Sequence, residues 1–247
     1  MNNIYIYDGT FSSLLALIEE LNNLNIIPDD IKSEEEYNCG ILDETIYLKI
    51  NNKEEKVEHL RKRITKNIFV NMYYVYLSNN NNKEMIIYDF YKLGVKYQNN
   101  IFGYRYYDSV NETIKISKYV LHEAHKLKGF LRFKEMKNGF LYAKYSSTNN
   151  VLGILANHFK KRFRNDFWII NDEERCNYAI YDKKKVIYIT EKEIVSLNLD
   201  INNKENEIED LWKTFFKTVA IKERTNKRCQ MNFMPKKYWN NIIEMED

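Results

Sequence analysis

Two histidines lie three residues apart in the string His122-Glu123-Ala124-His125. On a helix this spacing puts both imidazoles on one side, where they could offer two ligands to one metal. The string is one residue short of the H-E-x-x-H pattern of zinc proteases, so no metal site is expected from it. Acid–base work suits these side chains better. An imidazole titrates near neutral pH, and Lys126, Lys128 and Arg132 would lower the pKa of His125 if they stand close to it. His158 and Asp172 are the groups that would assist His125, provided that the fold gathers all three into one pocket. Asp172 has a simpler competing role, an ion pair with Arg175 that fixes a turn.

Several other chemistries are excluded. The chain has no G-x-S-x-G elbow and no Walker loop. Its 7 glycines are too few for a Gly-rich phosphate cradle. Cys39, Cys176 and Cys229 are far apart, with no C-x-x-C pair. A zinc ribbon, a redox dithiol and an iron–sulfur loop are therefore unsupported, and no cofactor is expected. The N-terminus lacks a basic region followed by a long apolar core, and no run approaches 18 apolar residues. The expectation is a cytoplasmic protein with no membrane-spanning helix.

Basic residues interleaved with aromatics suggest nucleic acid. Lys126, Arg132, Lys160, Arg162 and Arg175 lie among Phe and Trp residues in the second half of the chain. The stretch 222–239 carries six Lys or Arg against one Glu, and sets Arg224, Arg228, Lys236 and Lys237 beside Phe233, Tyr238 and Trp239. Cations bind phosphates and rings stack on bases. A net charge of +3 is too small to argue nucleic acid by itself. The 20 tyrosines are discounted as evidence of stacking, because Asn, Lys and Ile are more abundant still and the excess reads as compositional bias. The patch Arg61, Lys62, Arg63 and Lys66 reads as a solvated helix face.

The elements that must position these groups follow from apolar spacing. Residues 4–7 read as a strand, Asp8-Gly9 as a turn, and Leu14, Leu17, Ile18 and Leu21 as a helix that Asp8 or Thr10 can cap. Residues 28–40 read as an acidic loop and 45–50 as a second strand. Val57, Leu60, Ile64 and Ile68 predict one amphipathic helix running to about residue 77. Ile86, Phe90 and Leu93 predict another that ends near Gly94. A helix over 111–128 should stop at Gly129. Strands over 130–136 and 140–145 would then form a hairpin at Asn138-Gly139. Residues 151–163 read as a helix, and 167–170, 177–181 and 186–189 as strands. Ile208, Leu211, Trp212, Phe215, Phe216 and Val219 make a core helical stripe. The expected fold is a single α+β domain over 1–247, an antiparallel sheet covered by helices, with a mainly helical segment in the first half. Residues 53–98 are a candidate helical insert.

Several of these strings together resemble a known family. They are Tyr7-Asp8-Gly9-Thr10-Phe11, the run His122 to Phe133, Asn157-His158-Phe159 with Arg162-Phe163, the run Trp168 to Arg175, and Ala220 to Asn226 leading into Met234 to Trp239. In order and coverage they look like bacterial DNA metabolism or DNA repair proteins, domain of unknown function 4130, with residues 111–239 as the family core. The resemblance implies association with a radical SAM protein of DNA modification or repair. It implies no activity and carries no assigned catalytic residue. The leading expectation is an accessory protein that binds DNA and acts with such a partner. The alternatives are an enzyme acting on a nucleotide or damaged base through His125, and a protein-interaction scaffold.

Overall fold

The computed structural model describes residues 2–35, 37, 43–48, 50–136, 139–196 and 226–241. The fold is α+β with two separate sheets, and the chain divides into two compact units, residues 1–121 and 122–247. The apolar run Ile4-Tyr5-Ile6-Tyr7 is buried on both faces because it forms the central strand of a three-stranded sheet. That strand, β1 (Asn2–Tyr7), is parallel to both neighbours, β2 (Asp30–Ser33) and β3 (Asp43–Ile46). This parallel sheet stands in addition to the antiparallel one that was expected. A central strand covered on both faces reads as continuously apolar, and this one does. β2 lies inside the stretch read as an acidic loop; only Ile31 and Ser33 on it are buried, too short an alternation to announce a strand.

Between β1 and β2 runs α1 (Phe11–Asn23), capped by Thr10, whose hydroxyl accepts the Ser13 N–H. The predicted helix over 57–77 is two helices, α2 (Lys53–Arg63) and α3 (Lys66–Tyr76). Ile64 and Thr65 are extended and break the ladder between them. Leu60, Ile64, Ile68 and Met72 are nevertheless all buried, so the four-residue spacing survives the break and hides it from a reading of periodicity. α4 (Lys83–Tyr97) crosses α3 closely at Gly94, where a Cβ would stand 3.0 Å from Ile68 Cγ2. A 3-10 turn (Gln98–Gly103) leads to α5 (Asp108–Phe130), which runs through Gly129 rather than stopping there.

The second unit holds a five-stranded sheet in the order β4-β5-β6-β7-β8. Its strands are β4 (Lys134–Glu135), β5 (Leu141–Tyr145), β6 (Trp168–Asp172), β7 (Asn177–Tyr181) and β8 (Val186–Thr190). All pairs are antiparallel except β5 with β6. That pair is parallel because α6 (Leu152–Arg162) intervenes; a strand, a crossing helix and a strand return the chain in the same direction. β4 is shorter than the predicted strand, since residues up to Phe130 belong to α5. Gly139 closes the β4–β5 link at φ +78°, a conformation that favours glycine; Asn138 lies outside the described residues. Every residue of β6 is buried. Phe133 packs edge-on against Phe159 and Phe163, which joins the segment after α5 to α6. The unit continues through α7 (Glu191–Ser196), α8 (Lys227–Phe233) and a 3-10 helix (Lys236–Asn241). The predicted helical stripe over 208–219 lies outside the described residues, as do Cys39 and Arg224. Among the described residues no helix is long and apolar enough to cross a membrane.

Candidate functional site

The site is built on the segment of α5 within the second unit. Glu123 is three residues after Val120 and four before Leu127, so helix geometry places it on the buried face with them. The carboxylate there is 2% exposed and gathers donors from two distant segments. From the loop after β5 it accepts Thr148 N–H (3.3 Å), Asn149 N–H (3.0 Å) and Asn149 Nδ2 (2.5 Å). From the C-terminal 3-10 helix it accepts Lys237 Nζ (2.7 Å) and the Tyr238 hydroxyl (3.2 Å). Burial pushes the Glu123 carboxyl up, but the Lys237 ammonium and the Asn149 bonds outweigh it and hold the group below its ordinary value. The same loop is gripped from the turn after β6. Arg175 donates to the carbonyls of Ser147 (3.2 Å) and Thr148 (2.6 Å) and pairs with Asp172 at 3.3 Å. Asp172 also accepts the buried Tyr145 hydroxyl at 3.1 Å. Burial pushes its carboxyl up, against the pull of Arg175 and Tyr145.

These two clamps fix the loop that starts α6, and so fix the basic end of that helix. Lys160, Lys161 and Arg162 occupy its last turn. His158, one turn earlier, is held below the ordinary imidazole range, first by burial and then by the charges of Lys128, Arg162 and Lys161. Positive charge from α5 and α6 therefore acts on one imidazole. Lys161 and Arg162 are exposed, and Arg162 lies 5.4 Å over the Phe163 ring. Arg132 stays nearby in sequence, donating to the Gly129 carbonyl at 2.8 Å. Such a surface can hold phosphate oxygens, and an anion bound there would offset the positive charge that lowers the His158 pKa.

The other predicted residues are placed as follows. His125 and His122 are exposed, on either side of the inward-facing Glu123. No hydrogen bond or ion pair links His125 to His158 or to Asp172, and Asp172 is fully buried beside Tyr145. Among the described residues no group of three or more His, Cys, Asp or Glu is placed to hold a metal. Lys126 is half-buried on α5, and Lys160 lies 5.8 Å over the Tyr181 ring. Arg228 is exposed on α8. Lys236 lies 5.8 Å over Trp239, whose indole N–H donates to the Met234 carbonyl at 2.9 Å. Lys237 and Arg175 hold the internal clamps. Glu123 escaped the sequence reading although its helical phase marked it as inward-facing. Lys128 was read as a neighbour of His125 rather than of His158, and Lys161 was not singled out as a contact.

The first unit contains a separate feature that the sequence did not announce. A cavity of about 520 Å³ between α1 and α2 is lined by Glu19, Glu20, Glu55, Lys56 and His59, among others. Glu19 is fully buried; it takes the His59 ring at 2.6 Å, Arg63 at 3.2 Å and the Tyr91 hydroxyl.

A family model described as a domain of unknown function, DUF4130, matches residues 81–244. The match covers α4, α5 and the whole of the clamped loop, and omits the cavity between α1 and α2. No curated protein matches the chain. With about two-thirds of its residues matched, the chain belongs to the DUF4130 family.

Proposed function

We propose that this protein binds nucleic acid through the basic end of α6 and the adjoining turn of α5, as an accessory factor in DNA repair or modification. The observation that carries the reading is the basic last turn of α6, where Lys161 and Arg162 are exposed one turn after the half-buried His158. The resemblance to proteins associated with DNA repair supports the setting, and a radical SAM protein is the partner it implies. The chain has no cysteine motif for an iron–sulfur cluster, so that chemistry belongs to the partner.

The test is binding to labelled single- and double-stranded DNA across a salt series. About four phosphate contacts, from Lys128, Arg132, Lys161 and Arg162, give a slope of about −3.6 for duplex and −2.8 for single strands. Between 50 and 200 mM salt that is a loss of roughly 150-fold and 50-fold. Lys161→Ala with Arg162→Ala should reduce the slope by close to two and weaken binding to all sequences alike. Absence of binding by the folded protein at low salt refutes the proposal. Retention of the full slope in the double variant moves the contact elsewhere. Co-purification with the radical SAM protein tests the partner separately.

A further inference from the structure

Four tyrosines of the first unit assemble where the chain passes from α4 to α5. Tyr97 ends α4, and Tyr104, Tyr106 and Tyr107 fall in the four residues before α5. Their rings form a continuous set. Tyr97 lies 4.4 Å from Tyr104 and 6.2 Å from Tyr107, and Tyr106 lies 4.4 Å from Tyr107 and 5.9 Å from Tyr104. The Tyr97 and Tyr107 hydroxyls stand 3.3 Å apart, which ties the two ends of the set together. These rings are not a core. Tyr106 is 70% exposed, and Tyr97, Tyr104 and Tyr107 are half-buried. Two cations border them, Lys96, whose ammonium lies 5.0 Å over the Tyr97 ring, and the exposed Arg105.

Rings held by one another lose little freedom when a further ring lands on them, so the set is prepared for stacking. Exposed aromatic faces flanked by cations match a single nucleic-acid strand, whose bases offer π-faces and whose phosphates pair with Lys and Arg. A duplex keeps its bases stacked inside and offers only phosphates to such a surface. We infer that Tyr97, Tyr104, Tyr106 and Tyr107, with Lys96 and Arg105, form a platform that stacks the unpaired bases of a single strand. The inference deepens the proposed nucleic-acid binding and rests on it, since it names the form of nucleic acid preferred.

The test compares an oligothymidylate with an abasic strand of equal length and charge. Both offer the same phosphates, so their affinity ratio isolates stacking. For the wild-type protein one stacked base favours oligothymidylate by roughly 5- to 150-fold. Tyr104→Ala with Tyr106→Ala should bring the ratio close to one and leave the salt slope on the abasic strand unchanged. Tyr106→Phe keeps the ring and should keep the preference, which separates stacking from any damage to the fold. A wild-type ratio near one overturns the inference while leaving phosphate binding, and so the proposed function, intact. A preference that persists in the double alanine variant also overturns it. No binding of either strand overturns both.

Discussion

Glu123 offers the most direct test of how the site is held. Glu123→Ala removes the acceptor for five donors, Thr148 N–H, Asn149 N–H, Asn149 Nδ2, Lys237 Nζ and the Tyr238 hydroxyl. They do not all suffer equally. The Lys237 side chain is 43% exposed and Thr148 is exposed, so both recover water. Asn149 and Tyr238 are 1% and 2% exposed and leave three donors buried. An unpaired buried donor costs about 1–3 kcal/mol, and partial relaxation around the smaller side chain lowers the sum, so the expected loss is about 3 kcal/mol. Glu123→Gln keeps one acceptor oxygen but turns an amide towards other donors, for about half that loss. All three tryptophans, Trp168, Trp212 and Trp239, fall in sequence after residue 121, and Trp168 and Trp239 belong to the second unit, so tryptophan fluorescence during urea unfolding reports on it. With a slope of about 2 kcal/mol/M the midpoint of the alanine variant falls by roughly 1.5 M. The pH dependence has a fixed sign. The folded value of Glu123 is depressed, so its contribution is complete above the unfolded carboxylate value near pH ~4.3 and vanishes as pH falls through the folded value. The gap between wild type and Glu123→Gln must therefore narrow in acid. A loss below about 0.5 kcal/mol for Glu123→Ala, or a gap that does not change with pH, refutes the clamp.

Two further predictions concern the groups beside it. Asp172 is pushed up by burial, so its charge opposes folding above its raised folded value, and stability is gained as pH falls through that value. Asp172→Asn should leave stability at pH 7 unchanged or raise it by up to about 1 kcal/mol, since Arg175 keeps the Ser147 and Thr148 carbonyls; a comparable loss in urea unfolding would show that the charge is needed. His158 is depressed by burial and by Lys128, Arg162 and Lys161, and bound phosphates offset those charges and raise it. DNA binding should then take up a proton, so affinity rises as pH falls from 7.5 to 6, and His158→Gln should flatten that profile in a fluorescence-anisotropy titration across about ten pH values.

Local pattern made much of the fold legible. The capped helix after Asp8-Gly9-Thr10, the helix over residues 151–163 and the last three strands follow from apolar spacing and turn residues alone. What escaped was set by tertiary partners. Ile64 and Thr65 break a helix without disturbing its apolar spacing, and Gly129 is carried inside α5 because the helix has neighbours on its buried side. The parallel pairing of β5 with β6 depends on where α6 returns the chain, a matter of packing rather than of either strand's residues. Within the site, the basic runs and His158 were readable. Glu123 was hidden between two histidines that drew attention to metal chemistry, although its phase with Val120 and Leu127 placed it inside.

Composition misleads in one direction here, and the tyrosines show why. An excess of Tyr across the chain is rightly no evidence for stacking, because bias acts on every position alike. Folding then sorts the residues by environment. Tyr88, Tyr91 and Tyr145 vanish into the two cores, at 0–1% exposure, whereas Tyr97, Tyr104, Tyr106 and Tyr107 meet at an accessible place beside Lys96 and Arg105. The same sorting applies to charge. Arg175 and Lys237 sit in basic runs that read like phosphate contacts, yet they hold Asp172 and Glu123. Lys161 and Arg162 are exposed, and their charge, with that of Lys128, acts on a half-buried imidazole. A basic residue adds to a nucleic-acid surface only when no internal carboxylate holds it, and that distinction is drawn by burial and pairing rather than by counting. It is also why variants at Arg175 or Lys237 should act on stability first, and variants at Lys161 and Arg162 on salt-dependent binding.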